Sequence, residues 1–372
     1  MLEKPKHLAI FLPSLVAGGA ERSMIKLAGG IAALDYAVDL VLVNAEGHFL
    51  NEVTDSVRVI DLKSTRVLTS LPGILRYLRQ YQPSVLLSAL HTNIVALIAC
   101  RIARGPTEVV VSERNTLTVE SQNYSSDIRM RLMPHLVRYF YRGASCIVAV
   151  SNGVADDLAR VTHLPRDRIK VIFNPIITPE FQEKAQEVIE YDWFMPGEPP
   201  VILSVGRLTI QKGFDVLIKA YAKVREIIPS RLLILGEGPE RGALETLVHD
   251  QGLEKLVRLP GFVQNPYPYM KKANVFVLSS RWEGLPGVLI EALYCGVPII
   301  STDCPSGARE ILAAGKYGNL IPVDDVDVMA QAIIAALCGK VLRPPIESWQ
   351  PYRVETIVNQ YIDVLFNRNN IN

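Results

Sequence analysis

Short apolar runs alternate along the chain with segments in which apolar residues recur every three or four positions. An unbroken apolar run of about four to eight residues is typical of a buried strand, and the wider spacing is typical of a helix with one buried face. Strands and helices that alternate in this way are typical of a parallel sheet with helices on both faces. The pattern therefore predicts an α/β fold.

The first part of the chain, residues 1–174, carries one such alternation. Its predicted strands are 7–12, 38–43, 84–88, 108–112, 145–150 and 170–173, and its predicted helices are 19–34, 70–80, 92–103, 127–141 and 152–162. Residues 7–12 could also be the apolar segment of a signal peptide. A helical pattern begins soon afterwards, at residue 19, and this favours a buried strand followed by a glycine loop.

Prolines interrupt the pattern at residues 175–200, which predicts a linker. The alternation restarts in a second predicted domain, 201–351, with strands at 201–205, 231–235, 257–259, 274–279, 298–301 and 319–322 and helices at 212–228, 239–252, 288–295, 307–314 and 325–338. A last helical pattern, 354–366, lies within residues 352–372, and the sequence leaves open whether it packs on the first domain. We therefore expect two Rossmann-like domains with parallel sheets facing an interdomain cleft.

Length and composition agree with two globular domains. The chain has 372 residues, 49% of them apolar and 21% charged, which excludes a disordered chain. The net charge of +1 lacks the positive excess that is typical of a nucleic-acid-binding protein. Residues 1–174 carry a net charge of +5 and the remainder −4. This asymmetry indicates either an anionic partner for the first domain or ordinary scatter of surface charge.

The cysteines and the apolar runs bear on the compartment. The five cysteines show no Cys-x-x-Cys spacing, which favours reduced structural thiols and a cytoplasmic protein. No apolar run approaches the ~18 residues that a membrane-spanning helix needs. The histidines and cysteines show no ligand spacing, so we expect no metal and no cofactor.

Two cations follow the first strand of the second domain. Arg207 lies directly after the strand 201–205, and Lys212 lies five positions later, at the predicted start of the next helix. A pair of cations there suits a diphosphate, because each charge pair at ~4 Å contributes ~4 kcal/mol at an effective dielectric of 20. The alternative is a pair of solvated loop charges.

Two carboxylates follow a later strand of the same domain. Glu283 lies in the loop after strand 274–279, and Glu291 lies one turn into the helix that follows. Carboxylates accept hydrogen bonds from vicinal hydroxyls, although Glu291 could instead only complement the helix dipole. Cations for a diphosphate beside carboxylates for sugar hydroxyls indicate a nucleotide-sugar site. The sequence therefore predicts a sugar transferase.

Several motifs resemble the retaining glycosyltransferases of family 4, also described as glycosyl transferases group 1, which have the GT-B fold. The motifs are Gly-Arg-Leu-x-x-x-Lys at 206–212, the two glutamates Glu283 and Glu291 with seven residues between them, Gly-Gly-Ala-Glu-Arg at 18–22, Val-Ser-Asn-Gly at 150–153, Leu-Gly-Glu-Gly-Pro at 235–239 and Cys-Pro-Ser-Gly-Ala-Arg-Glu at 304–310. They follow the family's order over most of the chain.

The resemblance implies a role for each matching residue. Arg207 and Lys212 would hold the donor diphosphate, Glu291 the ribose, and Glu283 the transferred sugar. The donor site would consist of Gly18, Gly19, Arg207, Lys212, Gly261, Phe262, Val263, Glu283, Gly284, Leu285, Pro286, Gly287, Val288 and Glu291. Gly18 and Gly19 would approach the phosphates from the first domain, and residues 261–263 would flank the base. The acceptor would attack the sugar from the same face that the leaving phosphate departs from, so that the configuration is retained.

One departure from the family concerns a histidine of the first domain. Many relatives have a histidine after the strand that corresponds to 108–112, where this chain has Ser-Glu-Arg-Asn. Arg114 could take that place, or His91 on the neighbouring loop could serve as the catalytic group together with Glu283, Arg207 and Lys212. Glu113, Arg114 and Asn115 are therefore candidates on the acceptor side.

Two short motifs favour other functions. Residues 235–242 approximate the glycine fingerprint of a dinucleotide site, but the third glycine is one position late. Asp325 and Asp327 imitate a metal-binding Asp-x-Asp, although Asp325 after Pro322 is better explained as a helix cap. A nucleotide-sugar epimerase, a phosphorylase of the same fold and a non-catalytic two-lobed sugar-binding protein are further alternatives.

Basic and apolar residues interleave at 127–142, which could form a peripheral membrane surface. The basic residues are Arg129, Arg131, Arg138 and Arg142. The alternative is an ordinary amphipathic helix that is broken at Pro134. A family member with this surface would act at the inner face of the plasma membrane on an anionic bilayer.

The sequence thus predicts a cytoplasmic, metal-independent, retaining transferase. Its donor would be a UDP-sugar carrying a hexose or an N-acetylhexosamine, and its acceptor a glycan or polyprenyl-linked glycan. The choice of UDP rests on the family alone, and the sugar, the linkage and the oligomeric state stay open.

Overall fold

A computed structural model describes residues 6–16, 18–119, 128–341 and 343–367. The chain divides into two compact units, Met1–Ile176 with Tyr352–Asn372, and Ile177–Pro351. The C-terminal segment therefore belongs to the first unit. Residues 177–200, which we expected to be a linker, belong to the second unit.

In the described residues, the first unit is built on a parallel sheet of seven strands in the order β3-β2-β1-β4-β5-β6-β7. The strands are β1 His7–Leu12, β2 Ala37–Leu42, β3 Val57–Asp61, β4 Val85–Ala89, β5 Glu108–Glu113, β6 Cys146–Ala149 and β7 Ile169–Val171. The helices are Gly19–Ala32, Leu71–Tyr81, Asn93–Ala103, Ile128–Phe140, Asn152–Thr162 and Val354–Phe366. The sheet and its helices form a Rossmann-like unit.

The core of the first unit explains why its strands are apolar runs. Residues 8–12 of β1 are completely buried, so the interpretation of this run as a central strand is confirmed. The C-terminal helix packs on the same unit, with Ile357 and Tyr361 fully buried. Val358 comes so close to Gly30 that a Cβ there would lie 2.6 Å from it. Glycine at position 30 therefore lets this helix dock.

One charged residue lies inside this unit. The carboxylate of Asp39, 3% exposed, accepts hydrogen bonds from His7 Nε2 at 2.9 Å, from Arg58 at 2.6 and 2.8 Å and from Tyr77 Oη at 2.5 Å. Burial alone would raise the pKa of Asp39, but these hydrogen bonds hold it well below its ordinary value. Asp39 thus links β2 to β1, to the edge strand β3 and to a covering helix.

In the described residues, the second unit has a parallel sheet of six strands in the order β10-β9-β8-β11-β12-β13. The strands are β8 Val201–Val205, β9 Arg231–Leu235, β10 Val257–Gly261, β11 Val275–Leu278, β12 Ile299–Thr302 and β13 Asn319–Ile321. The helices are Phe181–Lys184, Phe214–Val224, Arg241–Asp250, Tyr267–Lys272, Gly287–Cys295, Ala308–Ile311 and Val326–Leu337. This unit is Rossmann-like as well, which confirms the predicted fold class.

Two helices of the second unit have other bounds in the structure than the sequence predicts. The pattern at 212–228 forms a 3₁₀ turn, Ile210–Lys212, and a separate helix, Phe214–Val224. Gly213 divides them at a φ of 62°, a left-handed conformation that favours glycine. The pattern at 307–314 forms only the short helix Ala308–Ile311, since Ala313 and Ala314 both have positive φ angles.

Aromatic residues attach the expected linker to the second unit. Phe181 is 1% exposed and stacks on Tyr267 with ring centroids 3.9 Å apart. Trp193 is buried, and the guanidinium of Arg258 lies 4.3 Å from its ring centroid. Arg258 also forms a bidentate ion pair with Asp192 at 2.7 and 3.0 Å. The prolines that stop the helical pattern therefore belong to a packed segment.

Among the residues that the structure describes, no helix is both long enough and apolar enough to span a bilayer.

Candidate active site

Both sheets reverse their strand order at one point, where ligands bind in open α/β sheets. In the second unit the reversal lies between β8 and β11, and in the first unit between β1 and β4. Lys212 follows β8 and Glu283 follows β11. Gly18 and Gly19 follow β1, and His91 follows β4. These five candidate residues from the sequence therefore lie at the two switch points.

Lys212 and Glu283 form an ion pair at the switch point of the second unit. The distance from Lys212 Nζ to Glu283 Oε1 is 2.5 Å. The side chain of Glu283 is 7% exposed and that of Lys212 is 18% exposed. Because the pair is shielded from water, the attraction between its two charges is less screened than in a surface pair. The structure thus brings together two of the predicted catalytic residues.

Hydroxyl groups fix the carboxylate of this pair. Ser280 Oγ donates to Glu283 Oε1 at 2.6 Å, and Ser280 is completely buried. Thr302 Oγ1, at the end of β12, donates to the carbonyl oxygen of Ser280 at 2.5 Å. Glu283 therefore has one orientation. The sequence reasoning missed Ser280 and Thr302, because nothing in a serine or threonine at a strand end shows which acceptor it faces.

Arg207 occupies the position expected for a second cation. It lies two positions after the end of β8, and its side chain is exposed. The structure therefore leaves its guanidinium accessible to a ligand at the carboxyl end of β8. Its part in binding a diphosphate stays a prediction.

Glu291 lies on the helix Gly287–Cys295, one turn from its start, as predicted. Its Oε1 accepts a hydrogen bond from Tyr267 Oη at 3.3 Å, and Tyr267 is 2% exposed. The thiol of Cys295 lies nearby, where burial and then the charge of Glu291 raise its pKa to about 12. This thiol is therefore neutral and structural.

The loop between the two glutamates is held by the turn after β12. Ser306 Oγ donates to the carbonyl oxygen of Gly284 at 3.0 Å. Gly307 has a φ of 79°, and a Cβ there would lie 2.7 Å from the same oxygen. Leu285 and Pro286 are buried, whereas Gly287 and Val288 are half-buried at the helix start. These residues of the predicted donor site thus form one braced segment.

Gly261 is the last residue of β10, at the edge of the sheet, and Phe262 and Val263 follow it. Phe262 is 55% exposed, and Val263 is half-buried. An exposed aromatic ring at the carboxyl end of a strand can stack on a flat ligand. The predicted contact with a base remains untested.

The glycines of the apparent dinucleotide fingerprint have a packing role. A Cβ on Gly236 would lie 1.9 Å from the carbonyl oxygen of Gly206, and a Cβ on Gly238 would lie 2.3 Å from that of Leu208. The main chain of the two loops is also joined, with Leu208 N donating to Glu237 O at 2.9 Å. These glycines therefore allow the loop after β9 to press against the loop that carries Arg207.

The Asp-x-Asp sequence caps a helix. The side chain of Asp325 accepts a hydrogen bond from Val328 N at 2.9 Å at the start of the helix Val326–Leu337. Asp327 pairs with Lys223 instead. In the described parts of the chain, His, Cys, Asp and Glu side chains nowhere gather in a group of three that could hold a metal ion.

In the first unit, the glycine loop and His91 lie at the ends of neighbouring strands. Gly18 is the N-cap of the helix Gly19–Ala32, and a Cβ on it would lie 2.3 Å from Glu21 Oε2. Gly19 is exposed, with open space around its Cα. His91 is exposed and follows Leu90, whose φ of 64° is strained for a leucine.

Arg114 has a structural position. It is 4% exposed, and its Nη2 donates to Asn174 Oδ1 at 2.6 Å and to Ser23 Oγ at 3.0 Å. Burial lowers the pKa of this guanidinium from its ordinary value. Arg114 therefore joins three segments of the first unit inside the core, away from solvent.

Glu113 is also buried, at 7% exposure, and its Oε2 accepts a hydrogen bond from Tyr141 Oη at 2.8 Å. Asn93 Nδ2 donates in turn to Tyr141 Oη at 2.8 Å. Burial, and then the charge of Glu113, raise the pKa of Tyr141. Asn115, two positions after the end of β5, is half-buried. An acceptor-side role of these residues stays a prediction.

The helix Ile128–Phe140 presents apolar and basic groups together. Leu132, Leu136 and Tyr139 are 51%, 40% and 67% exposed. Arg138 and Arg142 are exposed beside them. The side chains of Arg129 and Arg131, and residue 127, lie outside the part of the chain whose side chains are described. Pro134 lies inside the helix and does not end it.

Comparison with known proteins gives two family matches and close relatives. The family model described as Glycosyl transferases group 1 matches residues 186–344, and that described as Glycosyltransferase Family 4 matches residues 17–179. The N-acetylgalactosamine-N,N'-diacetylbacillosaminyl-diphospho-undecaprenol 4-alpha-N-acetylgalactosaminyltransferase of Campylobacter jejuni is 32% identical over 351 residues. The match covers 91% of this chain and 92% of that protein.

Solved structures share the fold over nearly the whole chain. A glycosyltransferase from Rickettsia africae has a TM-score of 0.77 at 17% identity and covers 98% of both chains. HepE of Anabaena, solved in complex with UDP and glucose, has a TM-score of 0.76 at 20% identity and covers 97% of this chain and 100% of that one. At these identities the similarity is one of fold.

Proposed function

We propose that this chain, which belongs to the GT-B glycosyltransferases of group 1 and family 4, moves a hexose or an N-acetylhexosamine from a UDP-sugar to a hydroxyl of a glycan or polyprenyl-linked acceptor. Glycosyl transfer follows from the family. The donor, the acceptor and the stereochemistry are the proposal.

The ion pair between Lys212 and Glu283 carries this proposal. Lys212 Nζ and Glu283 Oε1 lie 2.5 Å apart at the switch point of the second sheet, where a ligand is expected. A cation there can neutralise a departing diphosphate, and the carboxylate can accept hydrogen bonds from sugar hydroxyls. This one pair can therefore bind both the diphosphate and the sugar, which lie on either side of the bond that breaks.

The remaining candidates of the second unit extend the same site. Arg207, exposed after β8, supplies a second charge to the diphosphate. Glu291, on the helix that follows the Glu283 loop, binds the ribose hydroxyls. The first turn of that helix directs main-chain N–H groups towards an anion, which adds to the stabilisation.

We place the reaction on one face of the sugar. The bond from the anomeric carbon to the diphosphate oxygen breaks, the acceptor oxygen bonds to the same carbon from that face, and the departing phosphate takes the hydroxyl proton. The configuration is retained. Measurement of the anomeric coupling constant in the isolated product tests this step, and an inverted product counts against it.

We propose that cationic side chains, and not a metal ion, stabilise the negative charge of the leaving group. Lys212 and Arg207 supply positive charge at the position where the leaving group gains negative charge. The rate with donor and acceptor is therefore expected to be unchanged after treatment with a chelator. A loss of activity that added Mg²⁺ or Mn²⁺ restores would refute metal independence.

The proposed donor and acceptor follow relatives. The Campylobacter jejuni relative is named for transfer of N-acetylgalactosamine to a diphospho-undecaprenol glycan, and it aligns with nearly the whole of this chain. HepE of Anabaena was solved with UDP and glucose. These names support UDP as the nucleotide and a polyprenyl-linked glycan as the acceptor.

We propose that His91, and not Arg114, takes the catalytic place of the family's histidine in the first unit. His91 is exposed at the carboxyl end of β4, whereas the guanidinium of Arg114 is already held by Asn174 and Ser23 inside the core. His91→Gln is expected to lower turnover and leave the unfolding temperature unchanged. Arg114→Met is expected to lower the unfolding temperature. Normal turnover in the folded His91→Gln variant would exclude this role.

We also propose that the helix Ile128–Phe140 contacts an anionic bilayer at the inner face of the plasma membrane. Leu132, Leu136 and Tyr139 are exposed, and each of Arg138 and Arg142 would contribute ~1 kcal/mol near such a surface. Replacement of Arg129, Arg131, Arg138 and Arg142 by alanine should reduce flotation with phosphatidylserine vesicles. Unchanged flotation would exclude the contact.

A donor panel tests the function itself. UDP-, GDP- and ADP-sugars are incubated with the protein and a set of polyprenyl-linked and free glycan acceptors, and nucleotide release is measured. Release that requires both a UDP-sugar and an acceptor supports the proposal. Conversion of one donor sugar into another without an acceptor would indicate an epimerase instead. Absence of both reactions with every donor would refute it.

A further inference from the structure

The turn that carries Lys212 is joined to the loop that carries Glu283 along its whole length. These two segments, the turn 209–213 and the loop 279–283, follow the switch-point strands β8 and β11. The hydrogen bonds between them run from Ser279 Oγ to Lys212 O at 2.8 Å, from Arg281 N to Gln211 O at 2.7 Å, from Arg281 Nη1 to Ile210 O at 2.7 Å and from Gln211 Nε2 to Trp282 O at 2.8 Å.

Backbone geometry also holds these two segments together. A Cβ on Gly213 would lie 2.2 Å from the carbonyl oxygen of Ser279. Only glycine allows this approach, and it is also suited to the left-handed φ of 62° at that position. Lys212 therefore enters the site on a turn that fits closely against its partner loop.

The side chain of Arg281 binds the turn and also two carboxylates outside these two segments. Its Nε donates to Asp324 Oδ1 at 2.8 Å, its Nη1 to Ile210 O at 2.7 Å and its Nη2 to Asp215 Oδ2 at 2.9 Å. Only 20% of the side chain is exposed. Burial alone would raise the pKa of Asp215, but the bonds from Arg281 lower it, so the carboxylate is stabilised in its charged form.

The partners of Arg281 lie on both sides of Lys212 in the chain. The carbonyl of Ile210 is at the start of the 3₁₀ turn, and Asp215 is in the first turn of the helix Phe214–Val224. Asp324 follows β13 and fixes the guanidinium from a third direction. The planar fork of an arginine reaches such separate acceptors from three nitrogens, whereas a lysine has all its donors on one nitrogen.

We propose that Arg281 is a positioning residue for the transfer reaction. It does not contact the substrate but fixes the turn Ile210–Lys212, so that the ammonium of Lys212 lies where the leaving diphosphate gains charge. The inference rests on the proposed function of Lys212. Its physical basis is that a displacement of ~1 Å can lower turnover about a hundredfold, whereas a lysine on a free turn samples many positions.

A merely structural role of Arg281 predicts a different result. Its loss would then lower stability and the amount of folded protein but not the turnover of the folded fraction. Arg258 is a suitable control, because it forms a bidentate ion pair with Asp192 in the same unit, at the sheet edge and away from the switch point. Arg258→Met therefore measures the effect of an arginine that only stabilises.

The test is a double-mutant cycle on turnover. The turnover number and the donor KM are measured for the wild type, Arg281→Met, Lys212→Met and the double variant, each at saturating acceptor. We expect Arg281→Met to lower turnover at least about tenfold with a smaller change in donor KM. In the Lys212→Met background, Arg281→Met should lower turnover less than about twofold, because the lysine that Arg281 positions is absent.

Several outcomes would overturn the inference. Losses that multiply in the double variant would show that Arg281 acts independently of Lys212. An Arg281→Met enzyme that keeps normal turnover per folded molecule, as expected for Arg258→Met, would show a structural role only. If the wild type releases nucleotide from no donor, the proposed function fails instead, and the two failures are thus distinct.

Two milder variants keep the test decisive if Arg281→Met does not fold. Arg281→Lys retains the charge but not the fork, and it should lower turnover in part. Asp324→Asn removes the charge from one anchor of the guanidinium and so weakens it, and asparagine accepts the positive φ of 60° at that position. Wild-type turnover in both folded variants would refute the positioning role.

Discussion

Replacement of Lys212 by methionine separates the catalytic part of the ion pair from its contribution to stability. The ammonium lies 2.5 Å from Glu283 Oε1, and the carboxylate side chain is only 7% exposed. Methionine keeps most of the side-chain volume and removes the charge. Turnover should therefore fall because the leaving diphosphate loses a cation, and stability should fall because Glu283 stays buried without its partner.

The two effects have different expected sizes. A single well-placed group that stabilises charge in the transition state contributes about 10²–10³ in turnover, and we expect a loss in this range. A buried pair that loses one partner costs about 3–5 kcal/mol of unfolding free energy. Since 18% of the Lys212 side chain is exposed, we expect the lower end, about 3 kcal/mol.

A second substitution distinguishes the effect on turnover from the effect on stability. In Lys212→Met/Glu283→Gln the buried group is neutral and can still accept the hydrogen bond from Ser280 Oγ. The unfolding free energy in urea should return to within about 1 kcal/mol of the wild type. Turnover, measured by nucleotide release at saturating donor, should stay low. A Lys212→Met enzyme with normal turnover, or a double variant that regains it, would refute the reasoning.

Three further predictions concern other parts of the structure. Glu291→Ala should weaken donor binding by about 1.5–3 kcal/mol in calorimetry, since hydrogen bonds to a charged group are lost, with a smaller effect on turnover. Gly236→Ala should lower the unfolding temperature, because its Cβ would lie 1.9 Å from a carbonyl oxygen of the neighbouring loop. Asp39→Asn should lower the unfolding free energy at neutral pH by about 1.5–3 kcal/mol, because the hydrogen bonds to the buried carboxylate lose their charge, while Arg58, 49% exposed, stays solvated. The lowered pKa of Asp39 means that its contribution is complete above the pKa of the unfolded chain, about 3.9, and is lost as the pH falls further towards the native pKa.

Each of these variants has a matched control. Glu254→Ala changes an exposed glutamate of the same unit and should leave donor affinity unchanged. Gly242→Ala, inside the helix Arg241–Asp250, meets no atom within 4 Å and should stabilise by up to about 1 kcal/mol. Asp55→Asn changes an exposed aspartate and should have the same small effect at every pH. If any control behaves like its partner variant, the corresponding assignment is wrong.

The sequence predicts the sheets better than the segments between them. Strands that are almost completely buried, such as β1 and β8, are nearly unbroken apolar runs, so the pattern identifies them. The edge strand Val57–Asp61 was missed because only Val57 is fully buried, which leaves little apolar pattern. The helix Tyr267–Lys272 was missed because prolines at 266 and 268 imitate a loop, although both lie at its start, where proline is tolerated.

The candidate site shows the same limit. Strand ends placed Lys212 and Glu283 at one sheet edge, so their proximity could be expected. Their direct ion pair and the three anchors of Arg281 could not, because these depend on the path of two irregular loops. The burial of Arg114 was equally hidden, since an arginine at a strand end is more often exposed.

The most direct test of the account is a crystal structure of the protein with a UDP-sugar that is not hydrolysed. We predict the diphosphate within hydrogen-bonding distance, about 3 Å, of Lys212 Nζ and the Arg207 guanidinium, the transferred sugar on Glu283 and the ribose on Glu291. A ligand bound elsewhere in the second unit, or a diphosphate that contacts neither cation, would contradict the central claim.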